Sequence, residues 1–449
     1  RDRSPSRGLG DVYKRQVILW RSQAGLIFVI DGSHRLSSLI AWVNDDYGDG
    51  QFSLEAFDGE IPDEQRQIAR KARETINSQI GPYSDYYKAL VAKHPDPDII
   101  VKARNLASRA LQIQWIDGDV DTAERSFFNI NQQATPIDPT ELKLLQKRKN
   151  PNCIAARSIM RAGKGHKYWH NFSQEIQESI ETLASSINRL LFDPIIQRPI
   201  KTLDLPICDR NNNILTLVYE FVSFVNNDTK EEDDLTGEAT IRSLKRTERM
   251  VQLFSSVAPC SYGLHPLLYC YSNKGNFRPA SFYGAIEFIR TLDTNPAILK
   301  SFIEQRKNFE DFIFENDIAV QRIIDTYRRG LQSARHISDY YVCVLNLFAS
   351  GKTSVEVQES ILANPKYQRL KLTFSPELEV TTGAFNSGNK SEVYIQEAYK
   401  KAPRCAICGG LLHTHSISID HIQRKRDGGL GCVENGQLTH PYCNTGVKN

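Results

Sequence analysis

The chain has 449 residues, 40% of them hydrophobic and 24% charged, with a formal net charge of +3. That length exceeds one ordinary core, so two to four domains are expected. No apolar run approaches the ~20 residues needed to span a bilayer, so no membrane partner is expected, and nine cysteines at this length do not make a disulfide scaffold, which fits a reducing cytoplasm.

The opening RDRSPSRGLGDVYKRQ (1–16) has no Met and lacks the apolar segment of a signal peptide; it reads as a foreign or disordered end. LIFVIDGSHRLSSLIAWV (26–43) reads as strand, tight turn at Gly32 and helix, with Leu36, Leu39, Ile40 and Val43 on one helical face. Helical stretches follow near 63–80 and 99–110, and ALQIQWIDG (110–118) alternates like a strand. The segment 122–149 reads as helix, loop and helix, with Asp138 as cap and Pro139 at the first helical position.

From 151 to 400 the pattern is mostly helical; Ile176, Ile180, Leu183, Ile187 and Leu190 recur on one face. The acidic stretch 226–238 reads as a solvated loop. ASGKTS (349–354) ends like a phosphate-binding loop, but Asn346 stands where the first glycine belongs and no strand precedes it, so chance explains it better. Cys153, Cys208, Cys260, Cys270 and Cys343 are scattered and read as buried free thiols.

The last fifty residues differ. Residues 401–449 carry six Lys/Arg against three Asp/Glu, and with the basic opening set aside, residues 17–400 stand at −3, so a polyanion would meet the C-terminal segment. Cys405 and Cys408 form a C-x-x-C knuckle, and His440 with Cys443 forms a second close pair. Two close pairs supply the four corners of a tetrahedral structural zinc site, whose metal would contribute much of the folding energy of so short a segment. His413 and His415 read as surface strand residues and Cys432 as a small packed side chain.

Zinc alone leaves unexplained what lies between the knuckles. The D-H-I step at 420–422, the RDGG turn (426–429), the ENGQL segment (434–438) and the C-N pair (443–444) resemble the HNH endonucleases, whose ββα-metal unit is a strand pair followed by a helix. The resemblance spans about forty residues and implies DNA as partner. Phosphodiester hydrolysis needs a base active near neutral pH and a cation at the phosphate. His421 suits the base, and Asp420 and Asn444 offer hard oxygens to Mg²⁺ or Mn²⁺. The resemblance gives Asn435 the task of orienting the His421 loop, and Arg424, Lys425 and Arg426 form a basic turn suited to nucleic acid.

A second resemblance lies at the other end. Asp31, Gly32, Ser33, His34 and Arg35 sit between strand and helix, where backbone N–H groups and Arg35 favour an anion. With FFNINQQATPIDPTELK (127–143), which holds Asn131, they resemble the ParB/sulfiredoxin-like domain of GmrS-type restriction proteins. That implies a domain that binds, and in one form hydrolyses, a nucleoside triphosphate, or one that senses DNA, in bacterial anti-phage defence. Ser33 stands where that family has Gln.

The expected class is α+β and multidomain: a ParB/sulfiredoxin-like α/β domain over 17–150, a helical middle over 151–400 and a zinc-stapled ββα-metal domain over 401–449. The expected function is a metal-dependent DNA endonuclease gated by its N-terminal domain; an oligomer is compatible with it. Two rivals are a non-enzymatic nucleic-acid-binding module with a structural zinc knuckle, and an NTPase switch whose C-terminal unit recruits partners.

Overall fold

The computed structural model describes residues 16–21, 25, 27–56, 61, 63–119, 122–123, 126, 143–144, 147–164, 169–210, 214–226, 232–327, 330–370, 372 and 385–447. It is α+β, mostly helical, and divides into two compact units, Arg1–Pro139 and Thr140–Asn449. Among the described residues no helix is long and apolar enough to cross a membrane.

In the first unit, β1 (Gln16–Arg21), β2 (Ile27–Asp31) and β3 (Gln112–Ile116) form a sheet in the order β2–β1–β3, antiparallel on one side and parallel on the other. The central β1 buries Val17, Ile18, Leu19 and Trp20 in succession, as a strand covered on both faces must. The helices are α1 (Ser33–Asn44), α2 (Gln51–Ala56), α3 (Asp63–Gln79), α4 (Tyr83–Val91) and α5 (Pro97–Ala107). The strand–turn–helix expected at 26–43 is present, with Gly32 at φ 96°, in the region that disfavours a side chain. The apolar face of α1 is a correction. Leu39, Ile40 and Val43 are exposed and the helix buries none of its side chains, because its packing is made through half-buried Trp42 against Tyr86 and Ala89 of α4 and Ala103 of α5. Asn131 and most of 122–149, including the expected Asp138–Pro139 start, lie outside the described residues.

The second unit holds α6 (Pro151–Met160), α7 (Gln174–Phe192), α8 (Ile214–Asn226), α9 (Glu238–Phe254), α10 (Pro266–Cys270), α11 (Pro279–Thr294), α12 (Pro296–Glu315), α13 (Asp317–Tyr327), α14 (Ala334–Ala349), α15 (Ser354–Ala363), α16 (Pro365–Gln368) and α17 (Ser387–Lys401). A two-stranded antiparallel ribbon, β4 (Ser418–His421) and β5 (Gly436–Thr439), precedes a π-helical turn at Cys443–Val447. Local sequence sets many of the helix starts. Asp96, Asn150, Asn295 and Asn364 each precede a proline and each accepts from a first-turn N–H with its side chain, while Thr353 and Glu356 close a capping box. That box and the end of α14 account for ASGKTS without a phosphate site.

One aromatic-rich core runs through this unit. Ile180, Ile187 and Leu191 of α7 are buried in it, with Ile176, Leu183 and Leu190 at its margin. Leu411, from the last fifty residues, belongs to the same core, so the 401–449 segment and the helices are one packed body. Asp234 corrects the solvated reading of 226–238: it is buried and accepts from Gly237 N and from Thr240 N and Oγ1, capping α9. Of the scattered cysteines, Cys153, Cys208 and Cys270 are buried, and Cys260 and Cys343 half-buried.

Candidate metal centre and adjoining site

The C-x-x-C turn forms because Cys405 N donates to Gly410 O and Gly409 N to Cys405 O; Ala406 N then donates to Leu438 O, tying the turn to β5. Cys443 follows β5 after a short turn. The ligand atoms of Cys405, Cys408, His440 and Cys443, all buried, lie within 4.8 Å of one another. A tetrahedral zinc with bonds of about 2.3 Å to sulfur needs ligand atoms roughly 3.8 Å apart, so this Cys3His set can hold a metal ion such as zinc.

The protein fixes which imidazole nitrogen faces the thiols. Nε2 of His440 is 3.1 Å from Leu411 O, which only accepts, while Nδ1 is 3.2 Å from an Arg306 Nη1 that only donates. These partners put the proton on Nε2 and leave Nδ1, 3.3 Å from Cys408 Sγ, as the nitrogen on the thiol side. Burial, reinforced by Arg306, pushes the His440 pKa down and keeps the ring neutral, as a ligand must be. Hydrogen bonds from Cys408 and Cys443 hold the Cys405 thiol far below its ordinary range, while the contact with Cys405 pushes Cys408 up to about 11. Three thiols this close compete for charge, and a cation relieves that competition.

Arg306 and Glu310 of α12 were invisible as site residues in the sequence. Both are buried, and they pair at 2.7 Å. The guanidinium also donates to Tyr262 O and Gly263 O; Glu310 accepts from Leu411 N and Tyr269 Oη. This network fastens the knuckle to the helices. His413 is likewise a correction: it is buried, with Nε2 3.1 Å from Leu205 O and its ring edge-on to His265, because the 412–416 segment packs on the 204–205 turn. His415 is half-buried, and Cys432 is exposed on a loop, not packed.

The β4–β5 ribbon carries the remaining candidates. Cross-strand partners are Asp420 with Gln437 and His421 with Gly436. Alternation puts Ser418 and Asp420 on one face and Ile419 and His421 on the other. Asp420 is 6% exposed and accepts from Gln437 Nε2 at 2.8 Å. Asn444 donates to Ser418 Oγ at 2.7 Å, so it meets the Asp420 face. His421 ends β4 on a depression of about 430 Å³ that Asp420, Asn435 and Gln437 also line; Asn444 is not among its walls. Asn435 stitches the intervening loop, accepting from Gln423 N and donating to Gln423 O and Leu430 O. Arg424 is half-buried at the start of this loop, and Lys425 and Arg426 are exposed.

A larger cavity of about 530 Å³ lies among Asp339, Cys343, Asn346 and Tyr367, but its Lys366 and Asp339 already neutralise each other at 2.7 Å. In the first unit, Arg35 and Asp31 pair at 2.6 Å across the Gly32 turn, with Ser33 and His34 exposed beside it. No protein-family model matches the chain, and no curated protein or solved structure matches it.

Proposed function

We propose that the chain is a metal-dependent DNA endonuclease of the HNH kind, hydrolysing phosphodiester bonds in defence against foreign DNA. The observation that carries this reading is the zinc-type cluster closing a ribbon on which Asp420 and Asn444 address one face and His421 ends the same strand. A zinc staple by itself requires none of those three side chains.

In this reading Asp420 and Asn444 hold a divalent ion, which supplies charge stabilisation to the phosphate and the leaving oxygen. Gln437 holds one oxygen of Asp420 and so fixes the carboxylate's orientation. His421 takes the proton of the attacking water on its imidazole. Asn435 keeps the His421 end of β4 against the loop that follows it. The N-terminal unit, read as a ParB/sulfiredoxin-like gate, would have to open the Asp31–Arg35 pair before a nucleotide phosphate or a DNA phosphate could reach Arg35.

Plasmid cleavage in Mg²⁺ or Mn²⁺, with and without nucleoside triphosphates, tests the reading. His421→Ala is expected to lower the rate by about 10²–10⁴-fold while DNA binding persists. Binding without metal-dependent cleavage in the wild type would leave the non-enzymatic module instead.

A further inference from the structure

The β4–β5 ribbon is inside out. Its polar side chains, Asp420 and Thr439, are buried, whereas Ile419 and its cross-strand partner Leu438 face solvent. The loop that joins the strands adds exposed aliphatic side chains of its own: Ile422, Leu430 at 74% and Val433 at 90% exposure. One exposed aliphatic residue is ordinary, but five on one small ribbon and its loop mark a contact surface. The loop backbone is held by Asn435, by Gln423 Nε2 on Asp427 O and by Gly429 N on Arg424 O. Leu430 and Val433 therefore project from a pre-organised support, which limits the ordering cost of a contact. A Cβ on Gly431, between them, would stand 4.0 Å from His421 Nε2.

We propose that Leu430 and Val433 form an apolar wedge that enters duplex DNA beside His421 and partly unstacks a base step. The proposal rests on the nuclease reading and adds how that site would grip its substrate. The partner follows from the loop's charge. Arg424, Lys425 and Arg426 precede the wedge on the same loop and outnumber its two carboxylates, Asp427 and Glu434, so phosphates and an apolar slot are met together. Duplex DNA offers both, since aliphatic side chains enter between base pairs while cations hold the flanking backbone. A symmetric pairing of two copies through this loop would set one basic run against the other. Aliphatic wedges read little base-edge pattern, so the contact selects deformable steps, with pyrimidine–purine steps the most easily opened.

The test uses the full chain with its zinc retained and Ca²⁺ replacing the catalytic ion, bound to a duplex carrying 2-aminopurine at a TA step. Wild-type protein is expected to raise the 2-aminopurine fluorescence on binding. The double variant Leu430→Ser/Val433→Ser should abolish that rise and bind about tenfold more weakly, with an unchanged salt slope. Arg424→Ala/Lys425→Ala should flatten the salt slope and keep the rise at saturating protein. Both wedge positions are exposed, and equal zinc content and thermal midpoint show that the variant is folded. Binding and cleavage with no fluorescence rise, or a rise that survives the double substitution, would overturn the wedge and leave the nuclease standing. A wild-type dimer that the double variant dissolves would assign the surface to a second copy. Wild-type protein that neither binds nor cuts DNA would remove both proposals.

Discussion

Replacing Arg306 by alanine tests whether the metal centre and the helices are one cooperative structure. The guanidinium makes four polar contacts: Glu310 at 2.7 Å, Tyr262 O at 2.6 Å, Gly263 O at 2.7 Å and His440 Nδ1 at 3.2 Å. Its loss strips the cation from a fully buried carboxylate and the donors from two carbonyls. Breaking a buried pair in this way costs about 3–5 kcal/mol, a large share of the roughly 5–15 kcal/mol that holds a typical protein folded. The adjacent residue is the control. Lys307 pairs with Asp311 at 3.0 Å and is 59% exposed, so Lys307→Ala should cost under about 1 kcal/mol. Urea unfolding followed by circular dichroism, with zinc measured per chain, reads both variants. Arg306→Ala is expected to lower the helical transition and the zinc content together, and adding Glu310→Ala should recover part of the loss. An Arg306→Ala protein within about 1 kcal/mol of Lys307→Ala, with zinc intact, would refute the reasoning.

Gly263 sits at φ 64°, and a Cβ there would come within 2.3 Å of His440 Cδ2, so Gly263→Ala should lower the zinc content; Gly428→Ala, equally left-handed at φ 85° but with open space around it, should keep it. On the proposed nuclease reading, Asn435→Ala, which removes the bonds that hold the loop, should slow cleavage by roughly 10–100-fold without loss of zinc, as for other orienting residues. Burial lowers the pKa of His413 to about 4. The unfolded chain takes up that proton near the ordinary histidine value of ~6.5, so stability should fall as pH drops from there toward 4 and level off below. His413→Gln should show a smaller fall over that window in pH-dependent unfolding.

The sequence displayed the Cys3His cluster because its members come in close pairs, and spacing within a pair is a local property. It also displayed the strand–turn–helix at Gly32. It could not display Arg306. In the run RKNFED, Arg306–Glu310 and Lys307–Asp311 are both i,i+4 pairs of opposite charge, one residue out of phase; only the packing of distant segments decides that the first is buried and the second wet. Asp234 was hidden for the same reason inside an acidic run, and His413 because the 204–205 turn that covers it lies some two hundred residues earlier.

The depth at which the knuckle is set into the helices bears on its portability. Residues 401–449 look like a cassette that recombination could move between proteins. Moving them would leave behind Arg306 and Glu310, the Ser261 carbonyl that accepts from Tyr442 N, the Ser261 hydroxyl beside Ser416 and the Asp204 carboxylate that accepts from Thr414 N. The unit that can be exchanged intact is therefore the whole of Thr140–Asn449, and a successful graft of the shorter piece would have to carry a substitute for the α12 face that receives it.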